Sequence, residues 1–165
     1  MAPVTIWTAP GGADPASGTL TPARDLAADG RAAADGRPIL VLFSETGCPW
    51  CERARREFLL PMQGNAAYRA KVVFRQIDID RTTPLRGFDG AMTSHQALAG
   101  KLKVSRFPTV MLFGPDGRLL AEPLVGFAIA DFYGAYLDER IDSAAAKLAA
   151  ESEPKNSSRQ SPHGR

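Results

Sequence analysis

The sequence predicts an α/β fold in which a central mixed β-sheet is flanked by helices on both faces. A continuous apolar run at residues 39–43 is typical of a strand covered on both sides, and residues 109–113 predict a further strand. A third apolar segment, residues 72–79, lies between them and is separated from each by helical or irregular sequence. A Gly-Pro-Asp-Gly turn at residues 114–117 then predicts an antiparallel hairpin at one edge of the sheet.

The first half of the chain supplies the first helices and strands of this order. We expect residues 1–20 to form an irregular N-terminal extension with a candidate first strand at residues 4–7, and we expect the folded domain to span residues 21–149. Thr21 and Pro22 have the form of an N-cap and first helical position, so we expect a helix over residues 21–34. A strand follows over residues 39–43, and then a helix over residues 52–60, which Pro61 ends or kinks. A second strand follows over residues 72–79.

The second half begins with a long irregular segment, residues 81–94, that several glycines and prolines interrupt. A short helix follows over residues 96–101, and then the two hairpin strands over residues 109–113 and 118–125. An amphipathic helix over residues 129–149 comes last. Residues 151–165 contain no large apolar side chain, and we expect residues 150–165 to form a disordered polar tail.

Composition limits the functional classes. The 165 residues are enough for one domain with a real core, and a net charge of +2 argues against a nucleic-acid binder. No apolar run is long enough to cross a bilayer, so we expect no membrane insertion of this chain.

The chain has only two cysteines, Cys48 and Cys51, and they lie within one four-residue segment. A disulfide that stabilises a fold closes a longer loop, and a structural zinc site needs four ligands, for which only His95 and His163 remain. We therefore predict a redox pair, with no metal site and no cofactor besides the Cys48–Cys51 disulfide itself. A redox-inert chaperone and a metal carrier that uses the two thiols remain the alternatives from another class.

The position of the pair between an apolar strand and a helix assigns a role to each cysteine. Pro49 fits the first helical position, which makes Cys48 the N-cap and turns its sulfur toward the unpaired N–H groups of the first turn. Those groups and the helix dipole favour the thiolate and lower the pKa of Cys48. We predict that Cys48 attacks and that the less exposed Cys51 resolves the mixed disulfide.

Residues 43–51, Phe-Ser-Glu-Thr-Gly-Cys-Pro-Trp-Cys, resemble the active-site segment of the thioredoxin superfamily, and residues 104–110 resemble its second hallmark. The resemblance covers roughly residues 38–141 and is closest to bacterial exported thioredoxin-like proteins. It implies a thioredoxin fold and a cis Phe107–Pro108 bond beside the cysteines. It also implies that protein substrates contact Pro49, Trp50, Phe107 and Pro108, with the backbone of Phe107 pairing with an extended segment.

Two positions depart from the family pattern. Leu42 stands where many thioredoxins carry a buried acid, and the lysine often paired with that acid falls on Gln76. These departures leave the proton handling of Cys51 and the direction of electron flow open. We expect a disulfide reductase supplied by an upstream thiol donor. A glutaredoxin-like or oxidant variant of the same chemistry is the alternative.

Other charged residues have simpler interpretations. We expect Glu45 to be a solvated turn residue, and we expect the arginines of the following helix (Arg53, Arg55 and Arg56) to form a solvated face. His95 is expected to be exposed, and Asp78 and Asp80 make a poor metal pair.

The N-terminus has neither the charged region nor the apolar region of a signal peptide. A chain whose only cysteines form its working pair suits an oxidising compartment, so we expect a mature periplasmic monomer, with a cytoplasmic protein as the alternative.

Overall fold

The computed structural model describes residues 19–153. Its strands are β1 (Ile39–Ser44), β2 (Val73–Asp78), β3 (Pro84–Arg86), β4 (Met92–Ser94), β5 (Thr109–Phe113) and β6 (Leu124–Val125). Its α-helices are α1 (Leu26–Ala32), α2 (Pro49–Arg53), α3 (Leu60–Gly64), α4 (Ala66–Lys71), α5 (His95–Lys101) and α6 (Ala130–Ser152), and a π-helical segment (Ala54–Leu59) joins α2 to α3. No helix within this part of the chain is both long and apolar enough to cross a membrane.

Four strands form the main sheet in the order β2-β1-β5-β6. Strands β1 and β2 are parallel, whereas β1–β5 and β5–β6 are antiparallel, so the predicted mixed sheet is confirmed. All six residues of β1 are buried, which explains the continuous apolar run in the sequence. The strand that carries the chain into the cysteine motif is therefore the most enclosed part of the sheet.

Alternate side chains of β1 enter two separate cores. Leu40 and Leu42 pack in the core that contains side chains of the π-helical segment and α6. Ile39, Val41 and Phe43 pack in the core that contains side chains of α1 and α5. The helices thus cover both faces of the sheet, as the sequence predicts.

The first helix begins later than predicted. Its N-cap is Asp25, whose carboxylate accepts a hydrogen bond from the N–H of Ala28 at 2.8 Å. Thr21 and Ala23 instead exchange backbone hydrogen bonds of 2.9 Å with Gln76, so this segment runs parallel to β2. The prediction of an N-cap at Thr21 was wrong because pairing with an open sheet edge competes with helix formation there.

The helix after the cysteine motif continues through Pro61 to Gly64. The π-helical segment ends just before this proline, which takes the first turn of α3. Proline has no N–H to donate to the preceding turn, and the first turn of a helix is where that loss costs least. Of the two alternatives predicted for Pro61, an end or a kink, the structure excludes the end, because the helix continues to Gly64.

The later segments differ in detail from the prediction. The irregular segment at residues 81–94 contains the antiparallel hairpin β3–β4. The predicted strand at residues 118–125 is reduced to a bridge at Leu119 and the two residues of β6, because Pro123 has no N–H for the ladder. Helix α6 extends to Ser152, beyond the predicted end at residue 149. The possible strand at residues 4–7 and residues 154–165 of the predicted tail lie outside the described residues.

Candidate active site

A short turn connects the buried strand β1 to the helix that carries the cysteines. Gly47 adopts a φ of +76°, a conformation that residues with a Cβ rarely take, and this allows the chain to reverse direction there. The N–H of Thr46 donates to the Asp80 carboxylate at 3.2 Å. This hydrogen bond lowers the pKa of Asp80 and ties the turn to the chain that follows β2.

Cys48 and Cys51 form a disulfide at the start of α2. Cys48 is the N-cap and Pro49 follows it in the first turn, as predicted. The Cys48 sulfur accepts a hydrogen bond from the N–H of Cys51 at 3.1 Å. Cys48 is partly exposed while Cys51 is wholly buried, so only the first sulfur is open to a partner.

The Phe107–Pro108 peptide bond is cis, in agreement with the family resemblance. Thr109, the next residue, pairs with Phe43 at the end of β1, so Pro108 lies at the same end of the sheet as the cysteine motif. Pro108 is buried, and its carbonyl accepts the N–H of Gly126 at 2.7 Å, while Phe107 is partly exposed.

Trp50 is 53% exposed and stacks on Phe127 with the ring centroids 6.2 Å apart. Phe127 in turn contacts Tyr133 of α6, with the ring centroids 4.6 Å apart. The Arg53 guanidinium lies over the rings of both Trp50 and Phe127, at 5.8 and 5.1 Å from their centroids. Trp50 is thus held by its neighbours and still presents half of its surface to solvent.

Further exposed apolar side chains lie on the β5–β6 side of the sheet. They belong to the β6 edge and the start of α6: Val125, Ile129, Phe132 and Tyr136. Together with Trp50 we call them the apolar surface. A group of exposed apolar residues on one side of a protein is typical of a surface that binds other proteins.

A cleft of about 500 Å³ opens on the opposite, β2 side of Cys48. We call it the polar cleft, because most of the side chains that line it carry charge or hydrogen-bonding groups. They include Glu45, Glu52, Arg55, Gln76, Asp78 and Arg81, and Cys48 itself also lines the cleft. The cysteine pair therefore lies between two chemically different surfaces.

Arg55 is the centre of a hydrogen-bond network in this cleft. Its guanidinium donates to Glu52 at 2.5 Å, to the side-chain carbonyl of Gln76 at 3.0 Å and to the Ser44 hydroxyl at 3.0 Å. The Gln76 amide donates in turn to Asp78 at 2.7 Å. Arg55 thereby connects the π-helical segment to β1 through Ser44 and to β2 through Gln76.

The structure corrects the prediction for Arg55, whose side chain is only 13% exposed. Arg53 and Arg56 are exposed, as expected of a solvated face. Glu52, which also lines the cleft, was not among the predicted site residues either. The spacing of Cys48, Glu52 and Arg55, four and then three positions apart, could have indicated that they share one helix face.

The prediction of an exposed His95 is also wrong, because this residue is only 1% exposed. One ring nitrogen accepts the N–H of Asp78 at 3.0 Å, and the other lies 2.8 Å from the carbonyl of Ala23. With both nitrogens used, His95 joins α5 to β2 and to the N-terminal segment. It has a structural role on the inner side of the sheet edge.

Comparison with known proteins agrees with this geometry. Residues 27–141 match the model of the thioredoxin-like domain family. Mitochondrial thioredoxin 3 from Saccharomyces cerevisiae shares 20% identity over 74% of this chain and 94% of its own, with a TM-score of 0.50.

Two other solved structures are similar at lower TM-scores. Trxlp from Edwardsiella tarda has 24% identity over 67% of this chain and 91% of its own, with a TM-score of 0.48. Thioredoxin O2 from Arabidopsis thaliana has 19% identity over 73% and 93%, with a TM-score of 0.46. No curated protein matches the sequence. The family match covers most of the chain, and the chain therefore belongs to the thioredoxin-like domain family and, with its Cys48–Cys51 pair, is a thiol–disulfide oxidoreductase.

Proposed function

We propose that the protein reduces disulfide bonds in protein substrates, with Cys48 as the nucleophile and Cys51 as the resolving residue. The observation that supports this most directly is the asymmetry of the pair. Cys48 is partly exposed and its sulfur accepts a backbone N–H, whereas Cys51 is completely buried. A sulfur in the first position reaches a bulky protein disulfide, and a sulfur in the second reaches only the mixed disulfide that results.

The proposed reaction begins with the reduced pair. The Cys48 thiolate attacks one sulfur of the substrate disulfide, forms a mixed disulfide and releases the other substrate sulfur as a thiolate. Cys51 then attacks the Cys48 sulfur, and the proton that it gives up is balanced by the one that the departing substrate sulfur takes up. This step forms the Cys48–Cys51 bond and releases the second substrate sulfur, which takes up a proton. Two electrons have then moved from the pair to the substrate.

The surroundings of the pair support a protein rather than a small molecule as the substrate on the apolar side. Trp50 and Pro49 are exposed beside Cys48, and Phe107 and Pro108 lie at the same end of the sheet. We propose that Pro49, Trp50, Phe107 and Pro108 contact the substrate. The backbone of Phe107 would pair with an extended segment that carries the substrate cysteine.

The direction of electron flow, the compartment and the oligomeric state are part of the same proposal. We propose a monomer that acts as a reductant in the bacterial periplasm and is supplied with electrons by an upstream thiol donor. The reduction potential of the Cys48–Cys51 pair tests the direction. A value near thioredoxin's, about −270 mV, agrees with a reductant, and a value near −120 mV would show an oxidant instead.

Insulin reduction with dithiothreitol as the electron source tests the activity. The parent should accelerate precipitation of the insulin B chain, and Cys48→Ser should lose this acceleration. Cys51→Ser, reduced first and then mixed with insulin after the dithiothreitol has been removed, should instead accumulate a mixed disulfide with insulin, visible on a non-reducing gel. If Cys48→Ser is as active as the parent, the proposed catalysis is wrong. Stoichiometric zinc or copper retained through purification would favour a metal carrier.

A further inference from the structure

We propose that Arg106, two residues before the cis proline, selects protein substrates that carry an acidic residue close to the reacting cysteine. The inference rests on the proposed function, since it narrows the class of protein on which the same cysteine pair acts. It makes Arg106 a specificity-determining residue, which binds the substrate segment and takes no part in the exchange of sulfur bonds.

The backbone of Arg106 has a fixed position relative to the proposed substrate site. Phe107 follows it directly, and the backbone of Phe107 is the proposed pairing partner of the substrate segment. The Arg106 carbonyl accepts a hydrogen bond from the Thr109 hydroxyl at 2.7 Å, and Thr109 is buried and pairs with Phe43 of β1. Arg106 is therefore anchored to the same end of the sheet as the cysteine motif.

Arg106 is exposed, and it takes part in none of the ion pairs formed within residues 19–153. Arg53, the arginine over the Trp50 ring, differs in this respect. Glu57 accepts two hydrogen bonds from the Arg53 guanidinium, at 2.9 and 3.2 Å. A carboxylate on a bound protein thus meets an uncompensated positive charge at Arg106 and a compensated one at Arg53.

The charges on the two sides of the cysteine pair differ in sign. Residues 95–115, which include the loop that carries Arg106, contain three basic residues and no acidic one. The polar cleft on the β2 side instead has three carboxylates against two guanidiniums, on Glu45, Glu52, Asp78, Arg55 and Arg81. An acidic substrate segment is therefore attracted to the loop and disfavoured in the cleft, which orients it across the site.

Pairing with Phe107 determines which substrate residue reaches Arg106. Successive residues of an extended segment advance by about 3.3 Å, and side chains of paired strands stand beside each other. A residue about one or two positions from the substrate cysteine thus lies beside Arg106 while the cysteine faces Cys48. A carboxylate there forms an exposed ion pair, which corresponds to about a two- to fivefold effect on the rate constant.

Three peptides test this selectivity. They share one sequence with a single cysteine, carry Glu, Gln or Lys on both sides of it, and are joined through that cysteine to thionitrobenzoate by a disulfide bond. The full-length protein is first reduced and then freed of reductant. The Cys48 thiolate attacks the peptide sulfur and releases the coloured thionitrobenzoate, and Cys51 then forms the Cys48–Cys51 disulfide and releases the peptide as its thiol.

Each second-order rate constant is divided by that of the 2-mercaptoethanol thiolate with the same peptide, which removes the effect of the flanking charges on the disulfide itself. We expect the Glu peptide to react about two- to fivefold faster than the Gln peptide, and the Lys peptide to react more slowly than both. Added salt should reduce this preference, because it screens exposed charges. Equal normalised rate constants for the three peptides would overturn the proposal.

Substitutions of Arg106 show whether this residue causes the preference. Arg106→Gln should bring the ratio of the Glu-peptide to the Gln-peptide rate constant close to one. Arg106→Lys should retain most of the preference, and Arg106→Glu should favour the Lys peptide. Arg31→Gln is the matched control, because Arg31 is also exposed and also takes part in no ion pair within residues 19–153. The control should keep the parent's ratio, and an unchanged ratio in Arg106→Gln would refute the role of Arg106.

Failure of this inference can be distinguished from failure of the proposed function. If the three peptides react equally and the protein still reduces insulin with dithiothreitol, the reductase function stands and Arg106 does not select its substrates. If neither the peptides nor insulin react, the proposed function itself has failed.

Discussion

Leu42 of β1 lies directly opposite Gln76 of the parallel strand β2, and Leu42 is completely buried. These are the two positions at which many thioredoxins carry a buried acid and its paired lysine. In this protein the first is apolar, and the second is a neutral amide bound to Arg55. The charged groups nearest the cysteines on this side of β1 are instead those that line the polar cleft.

An acid introduced at position 42 tests how strongly the apolar core disfavours a charge at this place. Leu42→Asp should lower the free energy of unfolding by about 3 kcal/mol or more at neutral pH, because it buries a carboxyl among apolar side chains. Burial raises the pKa of such a carboxyl, so the folded state binds its proton more tightly than the unfolded state. Stability should therefore fall as the pH rises from about 4 through the raised pKa.

Leu42→Asn is the matched control for this variant, since it introduces a polar group that does not titrate. Urea unfolding at several pH values measures both variants. The difference in stability between them should grow with pH, by about 1.4 kcal/mol for each unit by which burial raises the pKa of the introduced carboxyl. A pH-independent difference would show that the carboxyl reaches solvent.

Removing the Arg55 guanidinium tests the network in the polar cleft. Arg55→Met keeps the length of the side chain but leaves Gln76 and Ser44 without their donor. We expect a loss of about 1–3 kcal/mol in the free energy of unfolding, the cost of unsatisfied buried polar groups. Arg56→Met, on the neighbouring residue that is 72% exposed, should change stability by less than about 0.5 kcal/mol. Equal effects in urea unfolding would contradict the structural role of Arg55.

Gly30 provides a test of packing between α1 and the hairpin turn. A Cβ at this position would lie 2.2 Å from the carbonyl oxygen of Pro115, which is backbone and cannot rotate away. Gly30→Ala should destabilise the protein by about 1–3 kcal/mol, despite the better helix propensity of alanine. In Gly100→Ala, within α5, the new Cβ would meet nothing within 4 Å. That variant should gain up to about 1 kcal/mol, and thermal unfolding of both distinguishes contact from propensity.

The Tyr133 hydroxyl is buried without a hydrogen-bond partner among the described residues. Burial also raises the pKa of this tyrosine. Tyr133→Phe removes the hydroxyl and keeps the ring that contacts Phe127. We expect the variant to be as stable as the parent or more stable by up to about 1 kcal/mol, as judged by urea unfolding. A clear loss of stability would show that the hydroxyl has a partner.

Features with a strong local cause were predictable from the sequence. The apolar run at residues 39–43 identified the central strand, and Pro49 placed Cys48 at the N-cap, because each rests on the chemistry of a few neighbouring residues. The cis bond before Pro108 required the family resemblance in addition, since sequence alone favours the trans form.

Features that depend on distant partners were not predictable in the same way. Thr21 and Pro22 have the composition of a helix start, and only the open edge of β2 explains their extended conformation. Arg55 sits among charged residues typical of a solvated face. Its burial depends on Ser44 and Gln76, which lie 11 and 21 positions away in the chain. The polar cleft could therefore be found only once the strands were in place.

The π-helical segment has a consequence for how this site tolerates insertions and deletions. Each turn of a π-helix holds more residues than a turn of an α-helix, so the segment accommodates about one residue more than an α-helix would over the same turn. Deleting one residue from it should restore α-helical hydrogen bonding, while α2 and α3 keep about the same relative orientation. A one-residue deletion within the regular helix α6 would instead rotate its two parts by about 100° relative to each other. The helix that carries the redox pair is thus the one that tolerates the loss of a residue.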